Sequence, residues 1–339
     1  MRHSRPVATG WLAGLGGLLA CAVVWGASVG AAPIGIETVT RVVLDALGLL
    51  SYEPDGANVE TIVVDFRLPR VAMGAVVGIA LAIAGTVMQG FFRNPLADPS
   101  IVGVSAGAAA GAVAFIVAPL TVPFGLPVAA ATGGLVTAFA VYMIATRDGR
   151  TPVATLLLAG VAVQTLLGAT VSFLMVRASD QGLRAAVVWL LGSLSASTWA
   201  EVSLVTGVTA VCSALLLLFG RDLNVLLLGE ADAHALGVEV EWTKRLLLAV
   251  SAVLTAAAVM YVGVIGFVGL VVPHVMRLLV GPDHRLLLPA SALAGGAFLV
   301  IADTLARMGA AELPVGVVTA FVGAPFFLYL LRRREVYAL

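Results

Sequence analysis

Charge is scarce in this chain. Only 11% of its 339 residues are charged, against about a quarter in a soluble globular domain. The 19 basic and 19 acidic residues cancel, so no basic excess exists to attract nucleic acid. Lysine occurs once, as Lys244, and it follows Thr243 rather than a glycine. The phosphate-cradling loop GxxxxGK[ST] requires a Gly-Lys pair, so the chain cannot itself be a P-loop ATPase. The only two cysteines, Cys21 and Cys212, lie inside apolar runs. They read as two buried thiols with neither a disulfide nor a metal site. His3, His234, His274 and His284 are dispersed, without metal-ligand spacing. No Ser/His/Asp set, HExxH or pair of carboxylates falls within an apolar run. The chain is therefore expected to be no enzyme and to carry neither cofactor nor metal.

What the sequence has in abundance is apolar length. It is 60% hydrophobic with a mean hydropathy of +1.07, which predicts an all-α polytopic membrane protein, read as one membrane domain over 1–339. An apolar run of about 20 residues crosses a bilayer as a helix. About ten transmembrane helices are predicted, at 11–31, 67–92, 101–119, 128–146, 152–176, 200–219, 246–262, 263–280, 286–305 and 313–331. The eighth is short or broken, because Gly263, Gly266, Gly269 and Pro273 interrupt it. The first follows Arg2 and Arg5 but is too long for a signal-peptide core and is expected to be retained. Between the first two runs the pattern predicts an amphipathic surface helix at 38–50, then a loop containing the turn signal PDGAN. A helix at 185–194 is too short to cross. An even number of crossings puts both termini on one side. Most of the arginines fall there too, including Arg93, Arg147, Arg150, Arg221, Arg245 and Arg285, which marks that side as cytoplasmic.

The stretch 67–111 organises the rest. Arg67 and Arg70 flank a proline at one membrane face, an uncharged run crosses, and Arg93-Asn94-Pro95 stands at the other. Pro95 and Pro99 end one helix and permit a new start. Glycines at spacing four, Gly74/Gly78 and Gly103/Gly107/Gly111, let helix backbones approach closely in lipid. Long run, break and Gly-rich run recur faintly in 246–334, as an inverted repeat would. A carrier coupled to protons or sodium places ionisable groups near the midplane. The nearest such residue in the pattern, Asp303, lies toward the outer end of the ninth run, which counts against that alternative.

RLPR (67–70), GAVVGIALAIAGTVMQ, RNPLADPSIVGVSAGA, LLLAGVA, WLLGSL, GEADAHALGV, GVIGFVGLVVPHVMRLLVGPDHR and ELPVGVVTAFVGAPFFLYLL follow one another in order over most of the chain. Together they resemble the FecCD-type permease subunits of bacterial ABC importers for iron-siderophores, haem and cobalamin. The resemblance implies a type II ABC importer permease fold in the cytoplasmic (inner) membrane, in contact with lipid. It implies a homodimer with two ABC ATPase subunits and a periplasmic or lipid-anchored substrate-binding protein. Arg67, Arg70 and Arg307 would receive acidic residues of the binding protein. Glu230, Ala231, Ala235, Leu236 and Gly237, within 229–242, would form the cytoplasmic coupling helix that seats in the ATPase. Asn94, with Pro95, would stand near the inner gate, and Gln89, one turn earlier, would line the same route. Small hydroxyl residues usual before LLLAG are mostly missing from Pro152-Val153-Ala154-Thr155. Among substrates, family frequency favours an iron-siderophore or haem.

Overall fold

The computed structural model describes residues 5–46, 48–52, 58–118, 122–309 and 311–332. Among them every regular element is helical, and the sole β-type contact is an isolated bridge between Arg147 and Arg150. In chain order the helices are α1 (Arg5–Ser28), α2 (Ile36–Ala46), α3 (Val59–Thr61), α4 (Leu68–Phe92), α5 (Val104–Val117), α6 (Gly125–Ala145), α7 (Val153–Val176), α8 (Asp180–Leu191), α9 (Trp199–Leu218), α10 (Gly220–Leu226), α11 (Glu230–Ala235), α12 (Val240–Val262), α13 (Val268–Val280), α14 (His284–Ala306) and α15 (Val315–Arg332).

Seven of these are long and apolar enough to cross a membrane: α1, α4 with the turns before it, α6, α7, α9, α12 and α14. Three shorter apolar helices, α5, α13 and α15, stand where the sequence places the third, eighth and tenth runs. The chain is a multi-pass membrane protein. Its surface helix ends at Ala46, with Gly48 at φ +70° beyond it, rather than running to residue 50. Most of the PDGAN turn lies outside the described residues. The short helix α8 starts five residues earlier than expected because Ser179 caps it, its side chain accepting from the Gly182 N–H. The segment before α4 is not a loop: a π-helical turn, Ile62–Arg67, runs straight into it. Of the cysteines only Cys212 is buried; Cys21 is exposed on α1, because that helix meets the bundle along one narrow stripe.

The core is α4, almost wholly buried, enclosed by α12, α13 and α14. Small residues make this possible. A Cβ at Gly85 would lie 1.9 Å from the Gly269 carbonyl oxygen, and one at Gly78 would lie 2.2 Å from that of Gly295, so α4 packs backbone against backbone on both neighbours. The expected Gly107/Gly111 stripe does the same for α5 against α6, where added Cβ atoms would fall 2.3 Å from Gly133 O and 2.1 Å from Ala129 O.

Two breaks explain the short helices. After α4 ends at Arg93, in the left-handed conformation (φ +48°), the chain turns back into the bundle. It forms a 3-10 turn, Pro99–Val102, before α5 begins. After α12 ends at Val262, residues 263–267 are unwound and α13 then starts. The two units, long helix, break and short helix, run in opposite directions, since α12 ends near the start of α4: the Ser193 N–H donates to Val262 O, and Leu194 packs on Gly74. The faint repeat in the sequence corresponds to this inverted pair. Non-helical backbone is tolerated at membrane depth only where protein encloses it or it lines a cavity; Pro95, Ala97 and Pro99 of the first break and Gly263 and Ile265 of the second are buried.

Candidate functional sites

The three arginines expected at one face do converge. Arg67 is 6% exposed and donates through Nη1 to Ala27 O (3.0 Å) and Ser28 O (2.9 Å), and through Nη2 to Ala32 O. It thereby ties the open C-terminal carbonyls of α1 to α4. Arg70 grips Asp303 with Nε (3.1 and 3.0 Å to the two oxygens) and Nη2 (2.7 Å), and reaches Glu312 with Nη1 at 2.5 Å. Arg307 shares Asp303 (Nε to Oδ2, 3.0 Å) and donates to Val29 O and Gly26 O. The cluster lines an outward-opening cavity of about 730 Å³ together with Ser195, Phe66 and Met308. Its guanidinium donors are largely occupied within the chain, and its exposed member is acidic: Glu312 is 49% exposed. No local sequence pattern joins Asp303 or Glu312 to Arg70; only the fold brings them together.

At the opposite end of the bundle lies the 229–242 segment. Helix α11 is held between a glycine at φ +115° (Gly229) and one at φ +84° (Gly237). Ala233 and Val238 face inward; Ala231, Ala235 and Gly237 are exposed, and Leu236 is 56% exposed. Leu228 and Trp242 stand exposed beside it. The chain's single lysine fixes this platform. Lys244, buried, donates to Thr151 O (2.8 Å) and binds Glu230 and Glu241 at 3.0 Å each, while Glu241 Oε2 accepts from the Thr151 N–H. Glu230 is thus half-engaged internally rather than fully presented. The preceding helix α10 is tied to the α13–α14 turn through Asn224: its Nδ2 donates to Asp283 (2.7 Å) and its Oδ1 accepts from the His284 N–H (2.8 Å). Burial alone would raise the Asp283 carboxyl. Hydrogen bonds from Asn224 and the Arg285 N–H, with the Arg285 charge beside them, outweigh it and hold the group below the usual carboxylate range. The His284 ring, fully buried, lies against Gly90 of α4. Asn224, Asp283 and His284 thus tie α10 to the start of α14, and the His284 ring meets α4 at Gly90.

Gln89 does not line an open route in this conformation. It is fully buried; its Nε2 donates to Leu270 O (3.0 Å) and its Oε1 accepts from Arg277 (2.9 Å). Expected on a pathway one turn before Asn94, it is instead held by α13, through the Leu270 carbonyl and the Arg277 guanidinium. Arg277, 7% exposed, has no carboxylate partner among the described residues. Asn94 is exposed at the end of α4 and closes a local turn by accepting from the Leu96 N–H (2.9 Å); Pro95 behind it is buried.

The structure also moves one residue that the sequence places in the turn after α4. Asp98 lies mid-bundle. Its neighbour Pro99 packs on Gly269, which also meets Leu81, halfway along α4, and Ile101 O accepts from Gln164 Nε2 (3.0 Å), halfway along α7. Asp98 Oδ1 accepts from the Ser100 N–H at 2.8 Å, and no basic side chain pairs with it among the described residues. Instead the first turns of α5 (Ser105) and α13 (Gly269) line the same small cavity of about 60 Å³. Two half-helix N-termini, each partially positive, thus converge on one carboxylate. An ionisable group thus lies halfway along the bundle, so the position of Asp303 alone does not decide against a carrier.

Sequence comparison decides the family. The profile of the FecCD transport family matches residues 18–333. The chain belongs to the FecCD transport family. Among curated relatives, a cobalamin import permease of Halobacterium salinarum is 52% identical, each chain being covered completely. A hemin transport permease of Yersinia pestis is 46% identical over 80% of this chain and 83% of its own. The Fe(3+) dicitrate transport permease of Escherichia coli is 40% identical over 80% and 85%. Among solved structures, a metal-chelate type ABC transporter in an inward-facing conformation superposes with a TM-score of 0.80 at 31% identity, covering 96% of this chain and 99% of that one. The all-helical permease fold of the FecCD chain, with its broken helices, is shared with that transporter.

Proposed function

We propose that this FecCD chain is the transmembrane subunit of an ATP-driven importer in the cytoplasmic membrane, both termini cytoplasmic. Two copies would work with two ABC ATPases and a soluble or lipid-anchored binding protein. The observation that carries the reading is α11: a short helix with an exposed Leu236, pinned by the buried Lys244, in a chain without a nucleotide-binding loop. A rigid presented helix suits transfer of ATPase closure into the bundle as a rigid-body movement, and the Asn224–Asp283–His284 path leads that movement toward α4. A second copy is supported by α7, whose Thr165, Gly168 and Ser172 fall on one exposed face. Small residues on one face let helices pack closely in lipid.

The cargo is a bulky metal chelate: a corrinoid, haem or ferric chelate. The full-length similarity to a cobalamin permease puts a corrinoid first in testing, ahead of the siderophore or haem that family frequency favours. The arginine cavity is the proposed docking place for acidic residues of the binding protein. Because Arg70 already holds Glu312, docking there is an exchange of one carboxylate for another.

Gentle purification from native membranes followed by mass spectrometry tests the reading. A near-stoichiometric P-loop ATPase is expected, lost on Leu236→Asp. Recovery of the chain without any ATPase, even when a candidate is supplied, would overturn it in favour of an ion-coupled carrier acting alone.

A further inference from the structure

One cavity plays no part in that reading. It is a slot of about 300 Å³ between α6, α7 and α12, walled by Leu135, Phe139, Leu156, Leu248 and Val253, and apolar except for Arg245 and Tyr142. Leu135, Phe139 and Val253 are exposed, so the slot opens sideways from the bundle rather than into its centre. Its mouth lies at the α11 end. There Arg245 is exposed and donates to Gly149 O (3.2 Å), bringing it against the turn that carries Arg147 and Arg150, both exposed as well. None of the three arginines has an ion-pair partner within 4.0 Å among the described residues; Asp148, exposed in the same turn, is the acidic residue nearest in sequence. Glu241, the other carboxylate close by, is held by Lys244. Tyr142, on the slot wall, and Trp242, 57% exposed one turn before Arg245, mark the level at which aromatic rings sit between lipid tails and water.

We propose that this slot binds one anionic phospholipid, an acyl chain lying between α6 and α12 and its phosphate held by Arg245 with Arg147 and Arg150. The chemistry is complementary at both ends. An apolar slot between membrane helices is filled by lipid in any bilayer, and unpaired arginines at its mouth select a negative headgroup over a zwitterionic one. Guanidinium also meets phosphate with two parallel donors, which a choline headgroup does nothing to improve. The position gives the site a consequence. Arg245 follows Lys244, the anchor of α11, and holds Gly149, two residues from the Thr151 carbonyl that Lys244 also binds. A lipid phosphate on Arg245 would brace the platform on which the presented helix rests.

The full-length protein, reconstituted with its complex where available, is titrated in phosphatidylcholine nanodiscs with increasing phosphatidylglycerol, and retained lipids are read by native mass spectrometry. One phosphatidylglycerol adduct per chain is expected to survive at collision energies that strip phosphatidylcholine. Arg245→Gln should weaken its retention about fivefold, the effect of one basic residue on an anionic lipid. Ala249→Trp, which fills the slot and leaves every charge in place, should remove it as well. Equal retention of both lipids, or an adduct indifferent to both substitutions, overturns the proposal. So does loss of the phosphatidylglycerol adduct on adding inorganic phosphate alone, which would make the arginines a simple anion site. A disulfide forming between copies with cysteine at Val253 would show the slot covered by a second protein chain, and would equally overturn it.

Discussion

Replacing Asp303 by asparagine removes the counter-charge that two guanidiniums share. Arg70 makes three contacts of 2.7–3.1 Å to the carboxylate, and Arg307 adds one of 3.0 Å. The side chains of Asp303, Arg307 and Arg70 are 2%, 6% and 11% exposed, so water cannot take over. Removing one partner of a buried pair costs about 3–5 kcal/mol, because the remaining charge stays buried and uncompensated. The amide keeps the shape and an acceptor, which places Asp303→Asn near the lower end, about 3 kcal/mol. Glu312→Gln removes a contact of the same Arg70 that is half in water and is worth about 0–1 kcal/mol. Thermal unfolding of the purified protein, followed by tryptophan fluorescence, should therefore show a drop for Asp303→Asn several times that for Glu312→Gln. Adding Arg70→Met to Asp303→Asn, which removes one of the two guanidiniums left without a counter-charge and keeps apolar volume, should recover part of the loss. An Asp303→Asn protein no less stable than Glu312→Gln, or a double variant worse than the single, would refute the view that this network is held by paired buried charge.

Other consequences follow from the same geometry. Glu312→Gln, which frees one donor of Arg70, should strengthen docking of the binding protein and make it more sensitive to salt; weaker docking in a salt-dependent pull-down would remove the arginine cavity from the interface. Gly85→Ala places a methyl 1.9 Å from Gly269 O and should cost about 1–3 kcal/mol through overpacking. Gly10→Ala, with nothing within 4 Å, should be neutral or slightly stabilising; equal melting shifts for the two would contradict the close approach of α4 and α13. Asp283→Asn should destabilise at neutral pH. Since the native carboxyl titrates below its ordinary range, the wild-type advantage is fully present above about pH 4 and fades as pH falls through the lowered value. Melting curves of both proteins from pH 7 to pH 3 should converge only at the acid end.

The sequence alone determined that this chain is a multi-pass membrane protein with about ten apolar runs, that it carries no nucleotide-binding loop, and which family its blocks follow. Hydropathy, helix breakers and motif order are local properties of the chain, so they need no knowledge of what lies across the bundle. The α5–α6 glycine stripe was legible for the same reason, as a spacing along one helix. Even the weak eighth run was marked, since Gly263 and Pro273 stand in plain view. Tertiary structure decided which groups meet. Arg70 finds Asp303 across 233 residues, and that partnership turns three exposed-looking arginines into the closed frame of a cavity. Gln89, read as lining a route, is held instead by Leu270 and Arg277 on α13. The lone lysine, noticed only for the loop it cannot form, proves to anchor the presented helix. Asp98 shows the reason most directly. A chain that turns back on itself after α4 carries a residue from the apparent surface to the middle of the bundle, and one-dimensional hydropathy counts residues along the chain rather than depth in the membrane.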